Sequence, residues 1–199
     1  MSLAVLNELQ NNHWMFQGIK IIALGDIALD RTFLCTKPRV EHATHGSETI
    51  VDVERDDLGS VGSVNCTSEF CVNMGADSLL ISIIGHDEEG KIVQDVLAKN
   101  GIRNQLLEIE GIQTVTKIRF FLYDKNQGGY TLSFRADKET YEKLDLSYVK
   151  SEALIKRPDF QTWLVDELST SDGLLINDTE KGFLSTTALQ NIAEGPCPH

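Results

Sequence analysis

An α/β fold with a mostly parallel β-sheet is predicted by three features of the sequence. Short apolar runs at residues 19–26, 79–84 and 173–177 have the continuous hydrophobicity of strands buried on both faces of a parallel sheet. Helical patterns separate these runs, and such alternation of strand and helix is typical of parallel sheets. Residues 31–54 and 114–135 instead alternate apolar and polar positions, which predicts a small added β layer with one exposed face.

The first part of the chain contributes a leader, one buried strand and half of the added layer. Residues 1–18 are only weakly periodic and are assigned as a leader, so the domain is predicted to span residues 19–199. The run IKIIALGD at 19–26 is short and apolar and reaches a glycine near its end, as buried strands do. Half-exposed strands of the added layer are predicted at 31–36 and 47–54.

Two helices flank the second buried strand. Residues 62–74 follow a glycine-containing turn, have a helical pattern and stop at Gly75, a residue type favoured just after a helix. Asp87 is a typical N-cap for a helix over residues 88–99, whose apolar side chains line one face.

The second half of the chain begins with a predicted hairpin. Residues 126–129 (Asn-Gln-Gly-Gly) are a turn signal between two segments of alternating pattern, which predicts a β-hairpin. The other elements predicted here are strands at 105–109, 114–123, 130–135 and 173–177, a helical stretch at 146–170 interrupted by Pro158, and a helix at 185–193.

Composition and charge narrow the classes of function. The 199 residues are 41% apolar and 24% charged, which is typical of a globular domain, and the net charge is −12. An acidic chain repels phosphate backbones, so nucleic acid is not an expected partner. No apolar run approaches the roughly 20 residues of a membrane span. The N-terminus lacks the pattern of a signal peptide, so we expect a cytoplasmic protein with no membrane partner.

Metal binding is not predicted from the cysteines or histidines. The four cysteines, at positions 35, 66, 71 and 197, form no CxxC pair and are expected to be buried free thiols. His42 and His45 are three residues apart, but no further ligand pattern completes a metal site.

Two segments place ligand-binding residue types where a site is expected. Asp26 and Asp30 follow the first strand, and ligands of open α/β sheets bind beyond the carboxyl ends of the strands. A carboxylate there accepts hydrogen bonds from two neighbouring sugar hydroxyls, although a cap or a turn is an equal alternative. Residues 58–65 form a glycine-bearing loop that opens a helix and lacks the Gly-Lys-Ser/Thr of a Walker A loop. Glycine lets a ligand approach the backbone, but a plain turn into a helix is the simpler interpretation.

The order and spacing of these motifs resemble the PfkB/ribokinase-like carbohydrate kinases. The most specific part is the IGHDEEG stretch at 84–90, which follows the strand–GDIALD segment and the glycine loop with its asparagine. Residues 114–119 (TVTKIR) and 177–184 (NDTEKGFL) resemble the heptose 7-phosphate kinase branch. The resemblance extends over about residues 19–190.

The resemblance implies a fold, an activity and a set of site residues. The fold would be a ribokinase-like, mostly parallel sheet between helices, with residues 31–54 and 114–135 forming a small β lid. The activity would be ATP-dependent phosphorylation of a sugar or sugar phosphate. Asp30 matches the carboxylate that binds sugar hydroxyls, and Lys117 and Arg119 would face the substrate phosphate. The substrate-binding residues carried over are Asp30, Gly62, Ser63, Asn65, Lys117, Arg119, Asp178 and Lys181.

The sequence departs from the family pattern at three places. The Gly-Gly pair is broken, since Val61 or Ser63 occupies one of its positions. The spacing to Gly75 leaves either Asn65 or Cys66 at the asparagine position. The Gly-Ala-Gly-Asp motif with the general base, and the nucleotide pocket, do not occur in these 199 residues, as though the C-terminal half of the domain were missing. The ATP and Mg²⁺ that the family implies therefore have no predicted site in this chain, and we expect no kinase activity from it.

Two functions stay open on this fold. One is a sugar kinase family member that is inactive as this chain, and the other is a non-catalytic sugar-binding or scaffold protein derived from such a kinase. A sheet that ends at the strand over 173–177 would leave an apolar edge unpaired, and such edges tend to pair with another chain. We therefore expect homo-oligomers, formed through that edge or through the lid.

Overall fold

The computed structural model describes residues 16–43, 46–139, 160–181 and 183. The predicted helix at 185–193, Pro158 and most of the leader lie outside these residues. The elements, in chain order, are β1 (Lys20–Gly25), β2 (Ile27–Cys35), β3 (Arg39–Ala43), β4 (Gly46–Ile50), β5 (Val53–Ser63), α1 (Val64–Asn73), β6 (Asp77–Gly85), α2 (Glu88–Lys99), β7 (Arg103–Ile109), β8 (Thr116–Asp124), β9 (Gly129–Lys138), α3 (Phe160–Ser169) and β10 (Gly173–Asn177).

The central sheet contains four parallel strands in the order β10-β1-β6-β7. Successive side chains of β1 enter two different core clusters because strand side chains alternate between the faces of a sheet. Ala23 packs in the cluster that contains Val93 and Leu97 of α2. Ile22 and Leu24 pack in the other, against partly buried side chains of α3. The predicted α/β fold with a mostly parallel sheet is confirmed.

A second four-stranded sheet, called the lid sheet below, has the order β5-β2-β8-β9. Its β2–β8 pair is parallel and its other two pairs are antiparallel. The strands β3 and β4 form a separate antiparallel hairpin. The predicted added β layer is therefore present, and the Asn-Gln-Gly-Gly turn joins β8 to β9 as expected.

Strand β2 begins earlier than predicted, and this changes the setting of Asp30. The chain leaves β1 at Gly25 and enters β2 at Ile27, so Asp30 lies inside a lid strand and not in a turn or cap. Gly25 makes the crossing possible, because a Cβ there would lie 2.0 Å from the main-chain oxygen of Asn177. Asp26 is thus the one residue that connects β1 of the central sheet to β2 of the lid sheet.

The predicted glycine loop at 58–65 is also mostly strand. Strand β5 continues to Ser63, so the following helix begins at Val64 rather than at residue 62. The glycines permit close pairing with β2, since a Cβ at Gly59 would lie 2.3 Å from the main-chain oxygen of Asp30. The predicted strand at 47–54 is divided between β4 and β5, because Val51 and Asp52 form the connection between them.

Two predictions about burial were wrong. The strand β10 lies at the edge of the central sheet among the described strands, and its Leu175 and Ile176 are exposed instead of buried. Cys66 is exposed on α1, whereas Cys35 and Cys71 are buried free thiols as predicted. Within the described residues, no helix is long and apolar enough to cross a membrane.

Candidate functional site

A cleft lies where the carboxyl ends of central-sheet strands approach the lid sheet. Parallel strands present their carboxyl ends at one edge, and ligands of open α/β sheets bind there. The residues that line the cleft are Asp26, Ile27, Ile83, Ile112, Gln113, Val115 and Lys181. The cleft therefore has an aliphatic floor with charged and polar groups from three separate segments of the chain.

Asp30 lies on lid strand β2, three residues after the cleft residue Ile27, and its carboxylate is held on two sides. Arg119 donates to Oδ1 from the neighbouring strand β8 and forms an ion pair. The other oxygen, Oδ2, lies over Gly62, where a Cβ would be 2.8 Å away. A side chain at this position would therefore require the carboxylate to move. Asp30, Gly62 and Arg119 are thus brought into direct contact.

Lys117 shares the lid face of Asp30 and Arg119. It is the register partner of Asp30 across the parallel β2–β8 pair, and residues two apart on a strand project from the same face. On its other side Lys117 is paired in register with Asp137. The face that carries Asp30 therefore also carries two cations from β8.

The junction between β5 and α1 contains an unusual backbone conformation. Ser63 has φ 61° and ψ −121°, in a region that favours glycine, so its conformation is strained. Its hydroxyl donates to Oδ1 of Asn177 at 3.5 Å, next to the end of β10. Ser63 thus connects the start of the helix to the strand that precedes Asp178.

Asn65, on the first turn of α1, has a half-satisfied amide. Its side chain is 1% exposed, and Nδ2 donates to the main-chain oxygen of Val61 at 2.8 Å. Its Oδ1 is buried and has no hydrogen-bond partner among the described residues. A buried polar atom without a partner is costly, so this oxygen has unused hydrogen-bonding capacity. Cys66, the alternative for this position, is exposed.

The turn that carries Asp178 and Lys181 is attached to the central sheet by Asp26. The Asp26 carboxylate accepts hydrogen bonds from this turn and is 3% exposed. Asp178 is used within the turn, where Oδ1 accepts from the main-chain nitrogen of Glu180 at 2.9 Å. Lys181 forms an ion pair with Glu139 at 2.6 Å. Sequence reasoning considered Asp26 as a ligand residue but missed this attachment; the one local signal was an acidic residue at the end of a buried strand.

A second carboxylate explains the IGHDEEG motif. Asp87 caps α2 by accepting from the Gly90 nitrogen at 2.8 Å, and it also accepts from Thr114 just before β8. Burial raises the pKa of Asp87, but its hydrogen bonds to Thr114 and Gly90 lower it by more, and the pKa lies below its ordinary value. Gly85 and Gly90 allow this close approach, since a Cβ at either would lie 2.4 Å from a main-chain oxygen.

Comparison with known proteins shows which proteins this chain is similar to. No sequence model of a known family matches the chain. The bifunctional protein HldE of Pasteurella multocida is 24% identical over 170 residues, covering 85% of this chain and 32% of that protein. HldE of Caulobacter vibrioides is 25% identical over 180 residues, covering 90% and 33%. The chain thus spans about a third of the length of these curated relatives.

Solved structures match the fold over most of the chain. Phosphofructokinase-2 from Escherichia coli in complex with fructose-6-phosphate has a TM-score of 0.54 at 13% identity, covering 88% of this chain and 50% of that one. The tetrameric inhibited form of the same enzyme has a TM-score of 0.56 at 11% identity, covering 87% and 49%. The resemblance drawn from the sequence motifs is therefore confirmed: the chain has the fold of the PfkB/ribokinase-like carbohydrate kinases and is similar in sequence to the HldE proteins.

Proposed function

We propose that this chain is the sugar-binding part of a sugar kinase-like protein and takes a sugar or sugar phosphate in the cleft between the two sheets. One observation carries the proposal: the Asp30 carboxylate, on the strand that begins at the cleft residue Ile27, is held by Arg119 and lies over Gly62. A carboxylate fixed in this way keeps lone pairs for two neighbouring hydroxyl groups, because an ionised carboxylate accepts about four hydrogen bonds.

Asn65, on the first turn of α1, supports the same proposal. Its buried Oδ1 lacks a partner among the described residues, and a sugar hydroxyl is a suitable donor to it. We assign Asn65 rather than Cys66 to the asparagine position of the family, since the Cys66 side chain is exposed on the helix surface. The backbones of Gly62 and Ser63 would then contact the ligand.

Three cations are candidates for an anionic group on the ligand, and two of them already form ion pairs, Arg119 with Asp30 and Lys181 with Glu139. Lys117 and Arg119 project from strand β8 of the lid sheet. Lys181 lines the cleft from the turn that follows β10. Arginine and lysine are the residues that bind phosphate esters. The ligand class we favour is a heptose or hexose phosphate, in agreement with the resemblance of residues 114–119 and 177–184 to the heptose 7-phosphate kinase branch.

Phosphoryl transfer from ATP with Mg²⁺ is the activity that the family resemblance implies, and we propose that these 199 residues alone do not carry it out. Catalysis of this transfer depends on positioned groups that stabilise the moving phosphoryl group. The Gly-Ala-Gly-Asp motif that supplies them in the family does not occur in these 199 residues. Among the described residues, no three His, Cys, Asp or Glu side chains group as a metal site, so we assign none of them to Mg²⁺. The similarity to HldE favours this kinase lineage over a scaffold protein of separate function.

Isothermal titration of the purified 199-residue protein tests the proposal. We expect binding of heptose 7-phosphate or fructose 6-phosphate, no binding of ATP, and no ADP release when both are present. Asp30→Asn should lower sugar-phosphate affinity by at least about tenfold, since it removes one acceptor and the charge opposite Arg119. Asp56→Asn is the matched control, because Asp56 also forms an ion pair with an arginine of the lid sheet, Arg31, but is not a proposed ligand residue. Equal affinity of the wild type and Asp30→Asn, or ATP turnover by the wild type, would contradict the proposal.

Self-association through the lid sheet is the second part of the proposal. Phe33, Phe120 and Phe134 stack across three neighbouring lid strands, with ring centroids 5.1 and 4.4 Å apart. Phe134 and Leu132 are about half exposed. Exposed apolar patches on a β surface mark contacts with other chains. The phosphofructokinase-2 described as a tetramer has the same fold.

A further inference from the structure

Asp26 holds the turn at 178–183 from a distance of more than 150 residues along the chain. Its carboxylate is 3% exposed and accepts hydrogen bonds on both oxygens. The donors to Oδ2 are the Thr179 nitrogen at 2.7 Å, the Thr179 hydroxyl at 3.0 Å and the Lys181 nitrogen at 3.2 Å, and the donor to Oδ1 is the Phe183 nitrogen at 3.2 Å.

The backbone of Asp26 makes two further long-range hydrogen bonds. Its nitrogen donates to the Asn177 oxygen at 3.0 Å, and its oxygen accepts from the Val64 nitrogen, also at 3.0 Å. Asp26 therefore contacts the end of β10, the first turn of α1 and the 178–183 turn at once. Since β2 starts at the next residue, the lid sheet is connected to the same point.

The turn needs an external attachment to keep its shape. Glu180 has φ 59°, a left-handed conformation that is unfavourable for a residue other than glycine. The hydrogen bonds from the turn to Asp26 and the burial of Phe183 in the central-sheet core offset this cost. Without Asp26, the main-chain nitrogens of Thr179 and Lys181 would lose their acceptor.

We propose that Asp26 is a positioning residue that places Lys181 for an anionic group on the ligand. The inference rests on the proposed function for its ligand, a sugar phosphate. Asp26 itself is not a sugar ligand here, because both of its oxygens are engaged by the turn. Lys181 lines the same cleft, and its ammonium group lies 2.6 Å from Glu139 at the end of β9, which fixes the cation between the turn and the lid sheet.

The test is a double-mutant cycle on the full chain, titrated with heptose 7-phosphate and with the unphosphorylated heptose. Asp26→Asn keeps the size of the side chain but replaces one acceptor oxygen by an NH₂ group. We expect about a tenfold loss of affinity for the phosphate ester and less than about a twofold loss for the parent sugar. Lys181→Ala should show the same selective loss, and the double variant should be no weaker than Lys181→Ala alone. Equal losses for both ligands, or additive losses in the double variant, would overturn the positioning role.

Two further variants guard against a general folding defect. Asp172→Asn is the control, because Asp172 accepts from the Lys20 nitrogen at the opposite end of the central sheet, and it should bind both ligands as the wild type does. Thr179→Val removes one donor to Asp26 while keeping the main-chain bonds. We expect it to produce a smaller loss that is again confined to the phosphate ester; a loss for both ligands would count against the inference.

Hydrogen exchange separates this inference from the proposed function. Amides of 179–183 should exchange faster in Asp26→Asn than in the wild type and in Asp172→Asn, without any ligand present. If the wild type binds no sugar phosphate, the proposed ligand is wrong, and so is the role of Asp26 in binding it. Faster amide exchange in Asp26→Asn would even then show that Asp26 holds the turn in place. Unchanged exchange in Asp26→Asn would overturn the attachment itself.

Discussion

Asp87 and Thr114 are joined by two hydrogen bonds, from the Thr114 hydroxyl to Oδ1 at 2.6 Å and from the Thr114 nitrogen to Oδ2 at 2.9 Å. Oδ1 of Asp87 also caps helix α2. One carboxylate therefore fixes the start of a central helix and the segment that enters the lid sheet.

The stability of the protein should depend on the ionisation of Asp87. Its pKa in the folded state lies below the ordinary value near 3.9, so its contribution is fully present above about pH 4 and is lost as pH falls through the folded pKa. Asp87→Asn should lower the free energy of unfolding by about 1–2 kcal/mol at neutral pH and flatten its decline below pH 4. Urea unfolding across this pH range measures both, with Asp172→Asn as control. An unchanged acid profile would contradict the role of Asp87.

Gly59 should be intolerant of a side chain. A Cβ at this position would lie 2.3 Å from the main-chain oxygen of Asp30 in the paired strand, and main chain within a sheet cannot easily move aside. Gly59→Ala should therefore lower the free energy of unfolding by about 1–3 kcal/mol. Gly129→Ala is the control, since nothing lies within 4 Å of a Cβ there. Equal stabilities of the two variants in urea unfolding would show that β5 has room to shift.

Asn65 and Cys66 should differ in their effect on ligand binding. Asn65→Ala removes the buried Oδ1 and should weaken sugar-phosphate binding by about tenfold, as expected for one lost buried hydrogen bond. Cys66→Ala should leave the affinity unchanged because its side chain is exposed. Titration calorimetry of both variants checks this, with urea unfolding to confirm that each is folded. The reverse result would assign Cys66 to the asparagine position.

Self-association should depend on the lid sheet. Phe134→Asp places a charge in the exposed part of the stacked aromatic row and should weaken association by at least about tenfold in sedimentation experiments. Leu175→Asp alters the exposed side of β10 at the edge of the central sheet and should leave association unchanged. If Leu175→Asp is the disruptive variant, the contact lies at that edge instead. A wild-type monomer at high concentration would contradict both routes.

The described cysteines should differ in reactivity toward a thiol reagent. Burial raises the pKa of Cys71 and, together with the charge of Glu54, that of Cys35, so few thiolates form there at mildly alkaline pH. Cys66 is exposed and should react fast. In a Cys197→Ser background we expect one rapid modification in the native protein and two more after unfolding. Rapid reaction of three thiols in the native state would contradict the burial of Cys35 and Cys71.

Elements with local signals were predicted closely. Helix α2 has the predicted bounds, 88–99, because its N-cap Asp87 and its apolar face are encoded within the segment itself. The buried strands β1 and β6 match their apolar runs for the same reason. These elements were enough to specify the α/β class and the edge of the sheet at which a ligand is expected.

The settings of the site residues depend on segments that are distant in the chain. Asp30 was expected just after the first strand, with a sugar ligand and a cap or turn as equal alternatives, but it lies within a strand because β5 and β8 pair with β2 on both sides. Asp26 was considered as a ligand residue with a cap or turn as an equal alternative, and its oxygens are occupied by Thr179, Lys181 and Phe183. Residue type and spacing thus identify Asp26 and Asp30 as candidate acidic residues. Long-range hydrogen bonds occupy Asp26 with the turn and leave Asp30 beside Gly62 and Arg119. These partners depend on tertiary packing, which the neighbouring sequence does not specify.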